Sequence, residues 1–200
     1  VMTGPEAGIT RDAIAVDWQY EDRAFKLVDT AGMRKKAKVV GAIERMSVED
    51  TMRAVRLAQV VIMVIDANSP LEKQDLHIAG HIVEEGRALV IAVNKWDTIV
   101  EKDEVLEEMQ YRLETSLGQV KDVRFVPISA LHGSNIDKLF KAAMKTYEFW
   151  NMRTSTGKLN RWLSKVESQN AAPLVSGRSN RLKYITQVKT RPPTFAIWVS

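Results

Sequence analysis

Short apolar runs alternate with longer amphipathic segments through the first 150 residues of this chain. Residues 60–65, 88–93 and 123–128 are rich in β-branched side chains, which is typical of strands buried on both faces of a parallel sheet. Segments with apolar residues at helical spacing flank these runs, over residues 48–57, 71–85, 103–117 and 136–150. This alternation predicts an α/β fold, with a mostly parallel sheet and helices on both of its faces.

A strand pair is predicted before this alternating region. Residues 13–18 and 25–28 are strand-like, and the acidic turn Glu21-Asp22 joins them. The chain opens inside a loop, without a preceding strand or helix. We therefore expect the N-terminal part of the first domain to be missing.

The pattern changes after residue 152. Residues 155–168 predict a basic helix, and strand-like runs follow over residues 182–188 and 194–199. A segment of about fifty residues is smaller than most domains that fold alone. We expect a first domain over residues 1–152 and a small α+β domain, incomplete at its end, over residues 153–200.

Charge is distributed unevenly between these two parts. Residues 1–150 hold 20 Lys+Arg against 24 Asp+Glu, a net charge of −4. Residues 151–200 hold 9 Lys+Arg against a single Glu, a net charge of +8. The basic part is predicted to contact a polyanion, although a solvated basic face accounts for the same charges equally well.

The composition excludes several classes of protein. The chain has no cysteine, which excludes disulfides and cysteine-ligated metals and fits a reducing compartment. The longest apolar run, residues 60–65, is far too short to span a bilayer, and no secretory segment opens the chain. We expect a cytoplasmic protein without membrane contact.

Asn94-Lys95-Trp96-Asp97 follows the apolar run 88–93 directly, where open α/β sheets bind ligands. Guanine presents two donors, a ring N–H and an exocyclic amine, that the Asp97 carboxylate can accept together. Asn94 would tie the neighbouring loops together, and Lys95 would lay its alkyl stem over the purine ring. Taken alone, the four residues also suit an ordinary surface loop.

Two other strands end in related patterns. Asp29-Thr30-Ala31-Gly32 follows residues 25–28, where Asp29 can hold magnesium through water and Gly32 can approach a terminal phosphate. Ser129-Ala130-Leu131 follows residues 123–128 and would support the base. Each pattern is weak alone, since an ordinary turn explains it too, but their order along the chain predicts a guanine-nucleotide site.

With these loops the chain resembles the translation-factor-like GTPases, and more closely the bacterial Der (EngA) family. The resemblance covers almost all 200 residues and also rests on the strings at 9–12, 65–67, 186–188 and 190–193. The family implies a P-loop NTPase-type domain and a KH-like RNA-binding domain. This chain corresponds to most of the family's second GTPase domain and the start of the KH-like domain.

The resemblance also implies roles for the phosphate side of the site. Thr10 would ligate magnesium together with Asp29 and close over the terminal phosphate. Met33 stands where many GTPases have a water-positioning glutamine, and relatives with a hydrophobic residue here recruit potassium. No Gly-x-x-x-x-Gly-Lys-Ser/Thr loop occurs in the chain. Because the family places that loop just upstream, we expect these 200 residues alone to be inactive.

Basic residues of the last fifty are predicted to contact RNA phosphates, namely Lys158, Arg161, Arg178, Arg181 and Lys183. The Gly-x-x-Gly loop with which KH domains clamp RNA is absent. We expect the aromatic residues Trp162, Tyr184 and Trp198 to be core rather than base-stacking. His77 and His81, four residues apart without a third ligand, favour an ordinary helix face over a metal site.

The motifs predict a guanine-nucleotide-binding protein, and the resemblance implies a monomeric GTP-hydrolysing switch that assists assembly of the large ribosomal subunit. GTP or GDP with Mg²⁺, and K⁺ as a further ion, would be its ligands, and ribosomal RNA or a large-subunit precursor its partner. One alternative is an RNA-binding assembly scaffold with a degenerate, nucleotide-insensitive GTPase fold. Another is a KH-containing GTPase of the Era type.

Overall fold

The computed structural model describes residues 14–29, 51–116, 123–169 and 181–200. The chain divides into two compact units, Val1–Leu139 and Phe140–Ser200. Within the described residues, no helix combines the length and apolarity that crossing a bilayer requires.

A parallel sheet forms the centre of the first unit. Its described strands are β3 (Val60–Asp66), β4 (Ala88–Asn94) and β5 (Arg124–Pro127), in the order β3-β4-β5. Every residue from 88 to 93 is buried. Since successive side chains of a strand point to opposite faces, β4 is covered on both faces, which confirms the α/β prediction from its continuous apolar run.

Helices form at the predicted positions of the sequence. Residues 51–57 form α1, and the next three helices are α2 (Lys73–Glu84), α3 (Lys102–Ser116) and α4 (Ile136–Trp150). The core beside the sheet consists of apolar side chains from the strands and from α1, α2 and α3, among them Ile82, Ile91, Val93, Met109 and Leu113. Full burial of each such side chain contributes about 1.5–3 kcal/mol to folding.

The predicted strand pair is an antiparallel hairpin of β1 (Ile14–Tyr20) and β2 (Arg23–Asp29). Its turn begins at Glu21, which has a φ of 51°. Trp18 and Phe25 pair across the two strands, with ring centroids 6.1 Å apart. The described parts of β1 and β2 pair only with each other.

The second unit continues with α5 (Thr156–Gln169), β6 (Leu182–Lys189) and β7 (Thr194–Val199). The two strands are antiparallel. The side chain of Asn160 accepts the N–H of Ile185 at 3.1 Å and donates to its carbonyl at 2.8 Å, as a neighbouring strand would. This contact joins α5 to the edge of β6, beside the buried pair Leu163 and Ile185.

Gln187, from one of the strings that carry the resemblance, has a structural role. Its side chain is buried. It accepts the N–H of Thr154 at 2.7 Å and donates to the carbonyl of Met152 at 3.2 Å. Gln187 thereby holds the segment between α4 and α5 against β6.

The expectation that Trp162, Tyr184 and Trp198 are core is wrong. They are 55%, 42% and 50% exposed. On β6, adjacent side chains face opposite sides, and Ile185 occupies the buried one. Tyr184 therefore lies on the other face, where its ring contacts that of Trp198 with centroids 5.3 Å apart.

Candidate guanine-nucleotide site

The carboxyl ends of β3, β4 and β5 meet at one edge of the parallel sheet. Backbone hydrogen bonds continue past the strands and join the loops that follow them. Ala67 donates to the carbonyl of Asn94 at 2.9 Å, and Trp96 donates to that of Ile128 at 3.1 Å. These bonds bring the residues predicted from the strand-ending patterns of β4 and β5 together.

Asn94 joins the loops after β4 and β5 through its side chain. Its Oδ1 accepts the N–H of Ala130 at 2.9 Å. The contact spans 36 positions of sequence. It matches the expectation that Asn94 ties neighbouring loops together.

Lys95 has a left-handed backbone, with φ 63° and ψ 31°. Its ammonium Nζ lies 2.6 Å from Oδ2 of Asp66, at the end of β3. Burial raises the pKa of Asp66, but the hydrogen bonds from Lys95 and Asn68 outweigh it and lower the pKa from 3.8 to about 2. Asp66 is therefore a carboxylate at neutral pH, paired with the lysine of the predicted base-binding motif.

A closed ring of hydrogen bonds surrounds this ion pair. Oδ1 of Asp66 accepts both the backbone N–H and the side-chain amide of Asn68, each at 2.9 Å. The same amide reaches Oγ1 of Thr98 at 3.0 Å, and Thr98 donates to the carbonyl of Lys95 at 2.8 Å. The ring fixes both the backbone and the ammonium of Lys95 relative to β3.

Asp97, the predicted base reader, is held by the loop after β5. A hydrogen bond from the Ser129 hydroxyl lowers the pKa of Asp97 and outweighs the opposing effect of desolvation. Ser129 is buried, and its Oγ accepts the N–H of His132 at 3.3 Å. Nε2 of His132 lies 3.7 Å from Oδ2 of Asp97. The Asp97 carboxylate is therefore charged, oriented and still exposed to a ligand.

The loop after β5 is a tight turn. Ser129 and Ser134 exchange two backbone hydrogen bonds, at 3.2 and 3.0 Å. Gly133 has a φ of 67°, a conformation that glycine adopts at no steric cost. Leu131, predicted to support the base, is 84% exposed at the tip of this turn. The turn presents Ser129 and Ala130 towards the loop that carries Asn94 and Asp97.

Other predicted site residues are only partly covered by the structure. Thr10, Gly32, Met33 and Arg178 lie outside the described residues. For Asp29 the structure describes the backbone, which ends β2. The roles of these residues remain predictions.

The sequence pattern does not single out Asp66, Asn68, Thr98 or His132 as site residues. For Asp66 a signal is present, because it is the polar last residue of an apolar strand, as Asn94 is. The other three have no comparable local signal. Their positions depend on which loops meet at the sheet edge.

Four residues of the predicted RNA-binding set are described and exposed. Lys158 and Arg161 lie on α5, whereas Arg181 directly precedes β6 and Lys183 is the second residue of that strand. They present positive charge on the second unit.

Comparison with known proteins identifies the family. Residues 3–148 match the model of the Elongation factor Tu GTP binding domain, and residues 153–200 match the model described as KH-domain-like of EngA bacterial GTPase enzymes, C-terminal. Over 200 residues the chain is 52% identical to the GTPase Der of Mesorhizobium japonicum. The chain belongs to the Elongation factor Tu GTP binding domain family over residues 3–148 and is a homologue of GTPase Der (EngA). The resemblance predicted from the sequence is thereby confirmed.

A second Der relative gives the same result. The GTPase Der of Brucella melitensis biotype 2 is 54% identical over 197 residues, which are 98% of this chain. The chain spans 42% of the length of the Mesorhizobium protein and 41% of that of the Brucella protein. It therefore corresponds to about two fifths of a Der protein of that length.

Solved structures support the fold of this Der homologue. It aligns with Era in complex with MgGDPNP and nucleotides 1506–1542 of 16S ribosomal RNA, at a TM-score of 0.62 and 21% identity, over 98% of this chain and 68% of Era. It also aligns with a probable GTP-binding protein engB, at a TM-score of 0.55 and 20% identity, over 69% of this chain and 83% of engB. These likenesses confirm the predicted fold class.

Proposed function

We propose that this chain belongs to a GTP-binding and GTP-hydrolysing switch that assists assembly of the large ribosomal subunit. The observation that carries the proposal is the meeting of Asn94, Lys95 and Asp97 with Ser129 and Ala130 at one sheet edge. Every described residue of the predicted base-reading set except exposed Leu131 takes part in this arrangement.

The proposed base recognition follows from charge and geometry. The ionised, exposed Asp97 accepts the ring N–H and exocyclic amine of guanine, and Ser129 holds the carboxylate in place. Adenine lacks that pair of donors. The alkyl stem of Lys95 packs on the purine ring while its ammonium stays on Asp66. Asn94 keeps the loops after β4 and β5 at a constant spacing.

The phosphate side of the proposal rests on the Asp29-Thr30-Ala31-Gly32 pattern and on family resemblance. Thr10 and Asp29 would hold Mg²⁺, and Gly32 would approach the terminal phosphate. A potassium ion would act near Met33. Bound Mg²⁺ and K⁺ would neutralise charge that develops on the phosphates during hydrolysis.

The second unit is proposed to contact ribosomal RNA or a large-subunit precursor. Support comes from the match to the KH-domain-like family model and from the exposed Lys158, Arg161, Arg181 and Lys183. Arg178 completes the proposed set. We place the domain boundary at residue 152, between the two matched regions, and propose a monomer that acts in the cytoplasm.

Nucleotide titration of the full-length protein tests the proposal. Labelled GDP should bind at least about 100-fold more tightly than ATP, since two donors to an ionised carboxylate contribute about 1.5–3 kcal/mol each. Asp97→Asn should lose GDP affinity by a similar factor. The variant should gain affinity for xanthosine diphosphate, whose base has a carbonyl in place of the exocyclic amine of guanine. Equal affinities for GDP and ATP would instead favour the nucleotide-insensitive scaffold.

A further inference from the structure

Two histidine rings contact each other at nearly a right angle on α2, outside the nucleotide site. Nε2 of His77 lies 3.0 Å from Nε2 of His81, and the ring centroids are 4.4 Å apart. Residues four apart on a helix lie on the same face. The two nitrogens that metal ions most often use in histidine therefore already lie side by side.

Glu84 orients one of these rings. Its Oε2 lies 3.3 Å from Nδ1 of His81. In the tautomer that this carboxylate favours, with the proton on Nδ1 of His81, Nε2 of His81 is the acceptor and Nε2 of His77 is the donor. A carboxylate on the far nitrogen of an imidazole is the usual support of a metal-binding histidine, because it fixes the tautomer and raises basicity.

We propose that His77 and His81 form a two-imidazole site for a divalent transition-metal ion, with Cu²⁺ or Ni²⁺ preferred over Zn²⁺. Two nitrogens 3.0 Å apart, each ~2.0–2.1 Å from an ion, subtend roughly 95° at that ion. That angle fits adjacent positions of a square-planar or tetragonal site, the geometry of Cu²⁺ and Ni²⁺ with nitrogen ligands. A tetrahedral zinc site requires a separation of about 3.3 Å.

The ion replaces the shared hydrogen bond without a net loss of protons. His77 moves its proton from Nε2 to Nδ1, and the two rings turn so that both Nε2 lone pairs converge on the ion. Among the described residues, no third His, Asp or Glu completes a metal-binding group with them. Water therefore fills the remaining coordination positions, and the site exchanges its ion readily.

The backbone of α2 holds the two rings at this spacing. Glu72 and Asp75 form a capping box at the start of the helix. Ala79, between the two histidines in sequence, and Ile82, directly after His81, are buried in the core. His77 lies on the exposed side of the helix and His81 is half-buried. The ligand spacing is thus preformed, whereas the metal position stays open to solvent.

Copper binding to the full-length, tag-free protein tests this site. Wild-type protein should bind one more equivalent of Cu²⁺ than His77→Ala or His81→Ala, and its pulsed EPR spectrum should show two imidazole nitrogens on that ion. His132→Ala removes the remaining histidine of this sequence and should leave both readouts unchanged. The affinity of the site for Cu²⁺ should be higher than its affinity for Ni²⁺ and higher than its affinity for Zn²⁺.

A second variant tests the orienting carboxylate. Glu84→Ala keeps both ligands and should weaken Cu²⁺ binding by about 10-fold. This is the lower end of the loss in metal affinity that follows when the hydrogen-bonding partner of a metal-binding histidine is removed. GDP affinity, measured in parallel, should be the same in all α2 variants, which shows that they are folded. Equal Cu²⁺ stoichiometry in wild type and His77→Ala, or a spectrum with one imidazole or none, would overturn the proposal.

Discussion

Lys95 and Asp66, the last residue of β3, form an ion pair with Nζ 2.6 Å from Oδ2. The lysine of the base-binding motif is therefore held by a carboxylate from the neighbouring strand. The ring through Asn68 and Thr98 keeps that carboxylate in place. Lys95 thus has a defined position before any nucleotide arrives.

Replacing Asp66 should weaken guanine-nucleotide binding through Lys95. The pair is partly exposed, with side-chain accessibilities of 58% for Lys95 and 28% for Asp66. Such pairs contribute about 0.2–1 kcal/mol, so Asp66→Asn should weaken GDP binding by up to about 5-fold. Fluorescent GDP titration of the full-length protein measures this effect.

A double-mutant cycle separates this role from general damage. If Asp66 acts through Lys95, Asp66→Asn should have almost no effect in a Lys95→Ala background. Additive effects of the two substitutions would show that Asp66 does not position Lys95. The Asp97→Asn variant, measured alongside, reports independently on base recognition.

Ser129→Ala should reduce GDP affinity by freeing Asp97. The substitution removes the hydrogen bond that holds the carboxylate and lowers its pKa. Because Asp97 is exposed and solvent weakens this hydrogen bond, the loss of GDP affinity should be no more than about 10-fold. Ser134→Ala is a matched control, because the Ser129–Ser134 contacts are between backbones. Equal losses in both variants would contradict a role of the Ser129 hydroxyl.

The Asp66 pair should contribute to stability in a pH-dependent manner. The folded-state pKa of about 2 lies below the ordinary value of 3.8. The contribution is therefore fully present above about pH 4 and is lost as the pH falls towards about 2. Urea unfolding of wild type and Asp66→Asn between pH 5 and 2.5 should give free energies of unfolding that converge at low pH. A constant difference across that range would exclude this linkage.

Gln187→Leu should destabilise the second unit. It leaves the N–H of Thr154 and the carbonyl of Met152 without their buried partner, at a cost of about 1–3 kcal/mol per orphaned group. Urea unfolding followed by tryptophan fluorescence should show a lower midpoint. Lys183→Ala, exposed on the same strand, should change stability by no more than about 0.5 kcal/mol.

Lys158 and Arg161 should contribute to RNA binding mainly through charge. Each phosphate contact adds about one unit to the slope of log affinity against log salt concentration. Lys158→Gln combined with Arg161→Gln should therefore lower that slope by about 2 for a ribosomal RNA fragment. Lys145→Gln, exposed on α4, should leave the slope unchanged. An unchanged slope in the double variant would remove these residues from the RNA surface.

The order of helices and strands could be predicted from the sequence because it depends on local periodicity. The run from 88 to 93 is continuously apolar and forms the buried strand β4. Asn94, Lys95 and Asp97 could be predicted because they follow that strand directly. The predicted role of Gly32 depends on its place in a strand-ending pattern, and those of Thr10 and Met33 depend on resemblance. All three residues lie outside the described part of the chain.

Contacts between distant residues were decided by the tertiary structure. Lys95 meets Asp66 across 29 positions, and Gln187 meets Thr154 across 33. The exposure of Tyr184 depends on which face of β6 Ile185 occupies. Periodicity along the chain predicts whether a segment is a strand or a helix. It does not determine which strand ends are neighbours or which face meets a helix, because strand order and register depend on the packing of the whole domain.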